Sequence, residues 1–217
     1  MVHAVLSDQL HLGLDRVAVV ALSHGGPSAS LLAALHPEHV TSLTLISAGV
    51  ASSSDASQQQ ADQQGDAPTW IFQRDYRFWA ITTAFRGRFL GVMGVSRDVI
   101  AHLTPDQRRL ANQVIEVMNP VSLRAAGVRF DNQATLPNDR LAAIRAPMLI
   151  VHAKDDTLQR YRHAEFAATT IPRAHLVGFE RGGHLLMAVE QSAIRALLNE
   201  HLREHAGTQE APRGLAR

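Results

Sequence analysis

The 217-residue chain has no cysteine. Disulfide scaffolds, thiolate metal sites and a cysteine nucleophile are excluded together. An excess of one charge is lacking as well: 21 basic against 20 acidic residues leave a formal +1. That balance gives no overall electrostatic reason for a nucleic-acid or anionic-membrane partner. Its longest unbroken apolar stretch, Val17 to Leu22, is far too short to span a bilayer. The opening "MVHAVLSDQLHLGLDR" has no basic n-region and no long apolar core, so it does not read as a signal peptide. The expectation is a soluble, cytoplasmic protein. With 46% apolar and 19% charged residues, the composition is that of an ordinary globular domain with room for an inserted subdomain.

What is present is an alternation. Val17–Leu22 is short and apolar throughout, which predicts a strand buried on both faces of a parallel sheet. "SLTLISAGV" (42–50) and "PMLIVHA" (147–153) read the same way, and "AHLVGFE" (174–180) supplies a fourth strand. Helical patterns stand between them. "SASLLAALHPEHV" precedes the second strand, "LQRYRHAEFAATTIP" precedes the fourth, and "LLMAVEQSAIRALLNEHLREH" closes the series at one helical spacing. Such alternation predicts an α/β fold with a mostly parallel sheet flanked by helices. The second and third strands stand roughly ninety residues apart, too far for one crossover. Residues 51–140 therefore read as an insertion, with the core formed by 1–50 and 141–217. The insertion opens on "ASSSDASQQQADQQGDAP", a flexible loop by composition. "TWIFQRDYRFWAITTAF" and "TPDQRRLANQVIEVM" then predict a helical cap, the latter with Thr104 as N-cap and Pro105 at its first position. The aromatics Trp70, Phe72, Tyr76, Phe78 and Trp79 are expected to form the cap's core or line an apolar pocket.

Ser23 sits where the first strand stops and a helix starts, in "ALSHG", with Ala21 and Gly25 at the flanking small positions. A serine on such a turn presents its Oγ, and the close backbone approach needs small residues two before and two after. The common pattern has glycine at the first of these; alanine stands here. The alternative reading is an ordinary helix N-cap. A nucleophilic serine needs a base, and the base needs an orienting carboxylate. Open α/β sheets place such groups beyond the C-terminal ends of their strands. "LIVHAKDD" offers Asp155 and Asp156 after the third strand, and "FERGGHLL" offers His184 after the fourth. One carboxylate of the pair is expected to cap the following helix and the other to face His184. His152 reads as a packed or hydrogen-bonded strand residue. "HLREH" (His201, Glu204, His205) matches a zinc-peptidase spacing, but no third ligand is evident and a solvated helix end is the preferred reading. No metal and no cofactor are expected. "SHGGPS" lacks the lysine of a phosphate-binding loop.

The segments "VAVVALSHGGPSASLLAALHPEHVTSLTLIS", "IRAPMLIVHAKDDTL" and "IPRAHLVGFERGGHLL" resemble the nucleophile-elbow, acid and histidine segments of the α/β-hydrolase superfamily. The resemblance covers roughly residues 5–50 and 141–205. It implies a catalytic set of Ser23, Asp156 and His184, with the acid on the second carboxylate of the pair and the backbone N–H of His24 as one oxyanion donor. The family's first strands, with the loop that supplies a second donor, have no counterpart here: the chain is either a fragment or early-start variant, or another segment replaces them. The elbow strand would then form a sheet edge and invite homo-oligomerisation. Serine in the nucleophile slot argues against haloalkane dehalogenases and soluble epoxide hydrolases, which carry aspartate there. Leu185 stands where carbon–carbon hydrolases of meta-cleavage pathways usually have tryptophan. The implied activity is cleavage of a carboxylic ester, lactone or related small acyl substrate. The alternatives are a thioesterase or perhydrolase-like enzyme with the same set, or a catalytically impaired scaffold acting as a binding module.

Overall fold

The computed structural model describes residues 11–50, 69–127 and 138–206. Four parallel strands, β1 (Val17–Leu22), β2 (Val40–Ile46), β3 (Met148–Ala153) and β4 (Ala174–Phe179), lie in the order β1-β2-β3-β4. Helix α1 (Gly25–Leu35) carries the chain from β1 to β2, and a further helix (Tyr161–Thr170) joins β3 to β4. The interval between β2 and β3 holds four described helices: α2 (Asp75–Ala84), α3 (Arg86–Val92), α4 (Arg97–His102) and α5 (Pro105–Val117). Tyr161–Thr170 is α6, followed after β4 by α7 (Leu186–Val189) and α8 (Gln191–His205).

The period-2 alternation of a strand decides which face each residue covers. On β3, Met148 and Ile150 join Leu43 and Leu45 of β2, Leu32 and Ala33 of α1, and Ala164 and Ala167 of α6 in one apolar cluster. Leu149 and Val151 point the other way, onto Leu186 and onto Ile194 of α8. Helices thus cover both faces, and β3 is buried along its whole length, as parallel strands sandwiched in this way require.

The expectation fails for β1. Its residues alternate between partly covered and exposed, with Val20 and Leu22 at 40% and 46% exposure. The reason is position: in the described sheet β1 has one neighbour, β2, and only the face carrying Val19 and Ala21 packs on the α1 cluster. The edge position matches the expectation drawn from the resemblance; burial on both faces does not.

A third cluster belongs to the helices between β2 and β3. Ile71, Phe78, Phe89, Leu90, Ala111 and Ile115 form its centre, with Phe78 and Phe89 packed edge to face. Leu185 and Ala188, from the segment after β4, complete the same cluster. Thr104 caps α5 as the sequence predicts, in a full capping box with Gln107. Two expectations are corrected. Tyr76 and Trp79 stand exposed at 77% and 54%, so they do not belong to the cluster's core. The helical pattern after His184 is broken into α7 and α8 at Glu190, where the Val189 carbonyl accepts from the Gln107 side chain at 2.7 Å. The loop of residues 51–68 lies outside the described residues. No helix among the described residues is long and apolar enough to cross a membrane.

Candidate active site

The parallel sheet delivers three chain segments to one end. Beyond β1, the backbone N–H of Ser23 donates to Ile46 O at 3.1 Å, pinning the turn to β2. Ser23 then adopts a left-handed conformation, φ +48°, which is uncommon for a residue bearing a Cβ and is held here by the strand before and the helix after. Small neighbours make the turn fit. A Cβ on Gly26 would stand 2.8 Å from Ala48 Cβ and 3.0 Å from Gly49 O, whereas one on Gly25 would meet Ala21 Cβ at an ordinary 3.5 Å.

Beyond β4, Gly182 and Gly183 take positive φ values and lead directly into His184. Its Nε2 lies 2.8 Å from Ser23 Oγ, and its Nδ1 lies 2.9 Å from Asp156 Oδ2. A carboxylate can only accept, so Nδ1 carries the proton and Nε2 is free to accept from the serine hydroxyl. The structure brings together the three residues singled out in the sequence, with the His184 side chain 7% exposed and that of Asp156 fully buried.

Asp156 is held ionised. Burial pushes its carboxyl up, but the imidazoles of His152 and His184 and the backbone N–H of Gln159 outweigh that, lowering it from 3.8 to about 2. Oδ1 accepts from the backbone N–H groups of Leu158 and Gln159 at 2.9 and 3.0 Å. The neighbouring carboxylate does not cap a helix, contrary to expectation. Asp155 Oδ1 accepts instead from Gly183 N–H at 2.7 Å, tying the acid loop to the glycine turn before His184. Helix α6 opens on Arg160 with no side-chain cap.

His24 lies at the mouth of this arrangement, directly before α1. Its Nδ1 is 3.3 Å from Ser23 Oγ on an exposed face. Sequence reasoning gave its ring no part. Of two further neighbours, one escaped it altogether and the other read only as a packed or hydrogen-bonded strand residue. Gly94, on the turn between α3 and α4, packs against the pair: a Cβ there would come within 3.2 Å of His184 Cβ and 3.3 Å of Asp156 Oδ1. The third is His152, fully buried behind Asp156. Away from these groups, a cavity of about 430 Å³ opens on the helical segment between Trp79, Thr83, Arg86 and Glu116. The "HLREH" pattern falls on the end of α8, where His205 Nδ1 bonds the His201 carbonyl at 2.9 Å.

Other proteins resemble this chain in sequence or in fold. Over 90 residues, 42% of this chain, it is 30% identical to a protein of Stutzerimonas stutzeri (strain A1501) described as the carbamate hydrolase RutD, and the match spans 32% of that protein. Among solved structures, an esterase from Thermogutta terrifontis superposes with a TM-score of 0.68 at 19% identity, covering 91% of this chain and 69% of that one. A hydrolase from Pseudomonas aeruginosa gives 0.69 at 22%, covering 93% and 70%. The chain thus spans about a third of the curated relative and about seven-tenths of these two structures. The family model for the alpha/beta hydrolase fold matches residues 1–191, taking in the serine turn, the acid loop and the histidine turn together, and the chain belongs to that family.

Proposed function

We propose that the chain is a serine hydrolase acting on a carboxylic ester, lactone or related small acyl compound through an acyl-enzyme on Ser23. The observation that carries this reading is the continuous relay from Ser23 Oγ to His184 Nε2 (2.8 Å) and from His184 Nδ1 to Asp156 Oδ2 (2.9 Å). A serine hydroxyl alone is a poor nucleophile at neutral pH. His184 Nε2 takes its proton as Oγ bonds to the carbonyl carbon. The buried carboxylate of Asp156 stabilises the imidazolium that forms. The same proton passes to the leaving alcohol as its bond to the carbonyl carbon breaks. Water, giving a proton to His184 Nε2, then attacks the acyl carbon, and Ser23 Oγ recovers a proton on release of the acid. The backbone N–H of His24 is the proposed oxyanion donor. In this reading the described helices between β2 and β3, α2 to α5, serve as the cap.

The relative described as a carbamate hydrolase puts a carbamate carbonyl beside esters and thioesters in the substrate panel. Fluorophosphonate labelling of the purified chain, with Ser23→Ala as control and p-nitrophenyl acetate turnover alongside, tests the reading. Labelling and turnover that both vanish in Ser23→Ala are expected. A folded chain that takes no label would overturn it.

A further inference from the structure

His152 is the penultimate residue of β3, and its side chain is fully buried on the face that α6 covers. Buried polar groups need partners, and the pairing here is one-sided. Nε2 lies 2.8 Å from the Gln159 carbonyl and 3.4 Å from Asp156 Oδ2, while Nδ1 has no partner among the described residues. A carbonyl and a carboxylate both accept only, so the proton of the ring sits on Nε2. The ring thus aims its Nε2–H at the loop that carries the acid.

Its surroundings hold it there. In the β3–β4 ladder His152 stands opposite Gly178. A Cβ on that glycine would come 2.2 Å from the Tyr161 hydroxyl, so the missing side chain is what lets Tyr161 lean over β4. Tyr161 meets the His152 ring edge to face, 6.0 Å between centroids. The charged and titratable groups facing His152 are thus Asp156 from its own loop and Tyr161 from α6.

The acid loop is short, and its shape decides where Asp156 points. Gln159 contributes twice: its N–H donates to Asp156 Oδ1, and its carbonyl accepts from His152 Nε2–H. Oδ1 is filled by two backbone N–H groups, leaving Oδ2 for His184 Nδ1, with His152 Nε2 3.4 Å from the same oxygen. We propose that His152 is a positioning residue: its Nε2–H closes the 156–159 loop and holds Asp156 Oδ2 in line with His184 Nδ1. This rests on the hydrolase reading above for its kinetic consequence, though not for its geometry. The role acts through Asp156; His152 touches neither Ser23 nor any reacting atom.

Two variants separate positioning from packing. His152→Gln keeps an N–H near the Nε2 position, and His152→Leu fills similar space without a donor. Three readouts are compared at neutral pH: kcat and KM with p-nitrophenyl acetate, the thermal midpoint, and the far-downfield proton resonance of His184 Nδ1–H. In His152→Leu, kcat is expected to fall about tenfold to a hundredfold, the scale for losing a group that orients another, with KM little changed. Its downfield resonance shifts or broadens. His152→Gln recovers most of kcat and the resonance position. A His152→Leu protein with kcat within about twofold of the parent and an unmoved resonance overturns the proposal, as does a His152→Gln protein impaired as far as His152→Leu. Should the parent chain itself take no fluorophosphonate label, the hydrolase reading fails on that result alone. The resonance, which needs no turnover, then decides the role of His152 by the same two outcomes.

Discussion

Gly94 and Gly183 meet backbone to backbone: a Cβ on Gly183 would stand 2.2 Å from the Gly94 carbonyl oxygen. One belongs to the helical segment between β2 and β3, the other to the turn that presents His184. Further ties run along the same seam. Gln107 of α5 donates to the Val189 carbonyl at 2.7 Å, Arg181 pairs with Asp98, and Leu185 and Ala188 lie in the segment's own apolar cluster. The base of the proposed relay is thus held from two sides, by Asp156 after β3 and by the helices between β2 and β3.

Gly183→Ala consequently damages both stability and the site. The residue sits at φ +58°, where a Cβ costs about 1–2 kcal/mol, and the clash is with rigid backbone rather than a side chain that can turn away. The expected thermal midpoint falls by several degrees, at roughly 2–4 °C per kcal/mol for a domain of this size, and fluorophosphonate labelling slows by about tenfold or more. Gly25→Ala is the control. Its Cβ meets Ala21 at 3.5 Å with no positive φ, so its thermal midpoint stays close to that of the parent. Equal midpoints for Gly183→Ala and Gly25→Ala would show that the seam yields.

This seam marks where reading the sequence stops. The strands were legible because each is a short apolar run between turn residues, and the order serine, aspartate, histidine could be placed at strand ends without knowing any distance. Asp156 and His184 needed only that logic. Gly94 carries no such signal: it is one glycine in "GVMGVS", and its closeness to His184 comes from how the inserted helices dock. His152 read as a packed or hydrogen-bonded strand residue, as it is, but strand alternation shows a face and not its partners Gln159 and Asp156 beyond the strand's end. Asp155 looked like a helix cap, the common use of aspartate before a helix, and its true partner is 28 positions away at Gly183. The exposure of β1 was hidden for the opposite reason. An apolar run looks the same whether both faces are covered or one.

Ser23 allows the strain of the turn to be separated from its chemistry. Ser23→Ala and Ser23→Gly both remove Oγ and both lose labelling. They differ in keeping or dropping a Cβ at φ +48°. Relief of that conformation favours the glycine variant by about 1 kcal/mol, so its midpoint should exceed that of Ser23→Ala by roughly 2–4 °C. A lower midpoint for Ser23→Gly would mean that the turn stores no strain at this residue.

Asp156 makes part of the protein's stability depend on pH, with a definite sign. Its carboxyl is lowered on folding from 3.8 to about 2, so the folded state binds its proton more weakly than the unfolded chain does. A depressed carboxyl stabilises the fold at pH values above its unfolded value, and that contribution is lost as the pH falls through the folded one. The window therefore runs from about pH 4.5 down to about pH 2, and its full depth is about 2 kcal/mol at 1.36 kcal/mol per unit. Other carboxylates titrate over the same range, which makes the comparison with Asp156→Asn the informative quantity. Denaturant unfolding of both proteins at pH 6 and pH 2.5 should show the parent losing about 1–2 kcal/mol more than the variant. At pH 7 the variant should retain its fold while acyl turnover drops by up to about 10⁴, the scale seen when such an acid can no longer fix the histidine tautomer. If parent and variant lose stability in parallel between the two pH values, the carboxyl is not depressed by folding. The hydrogen bonds drawn to it from Leu158, Gln159 and His184 would then not hold it ionised in solution.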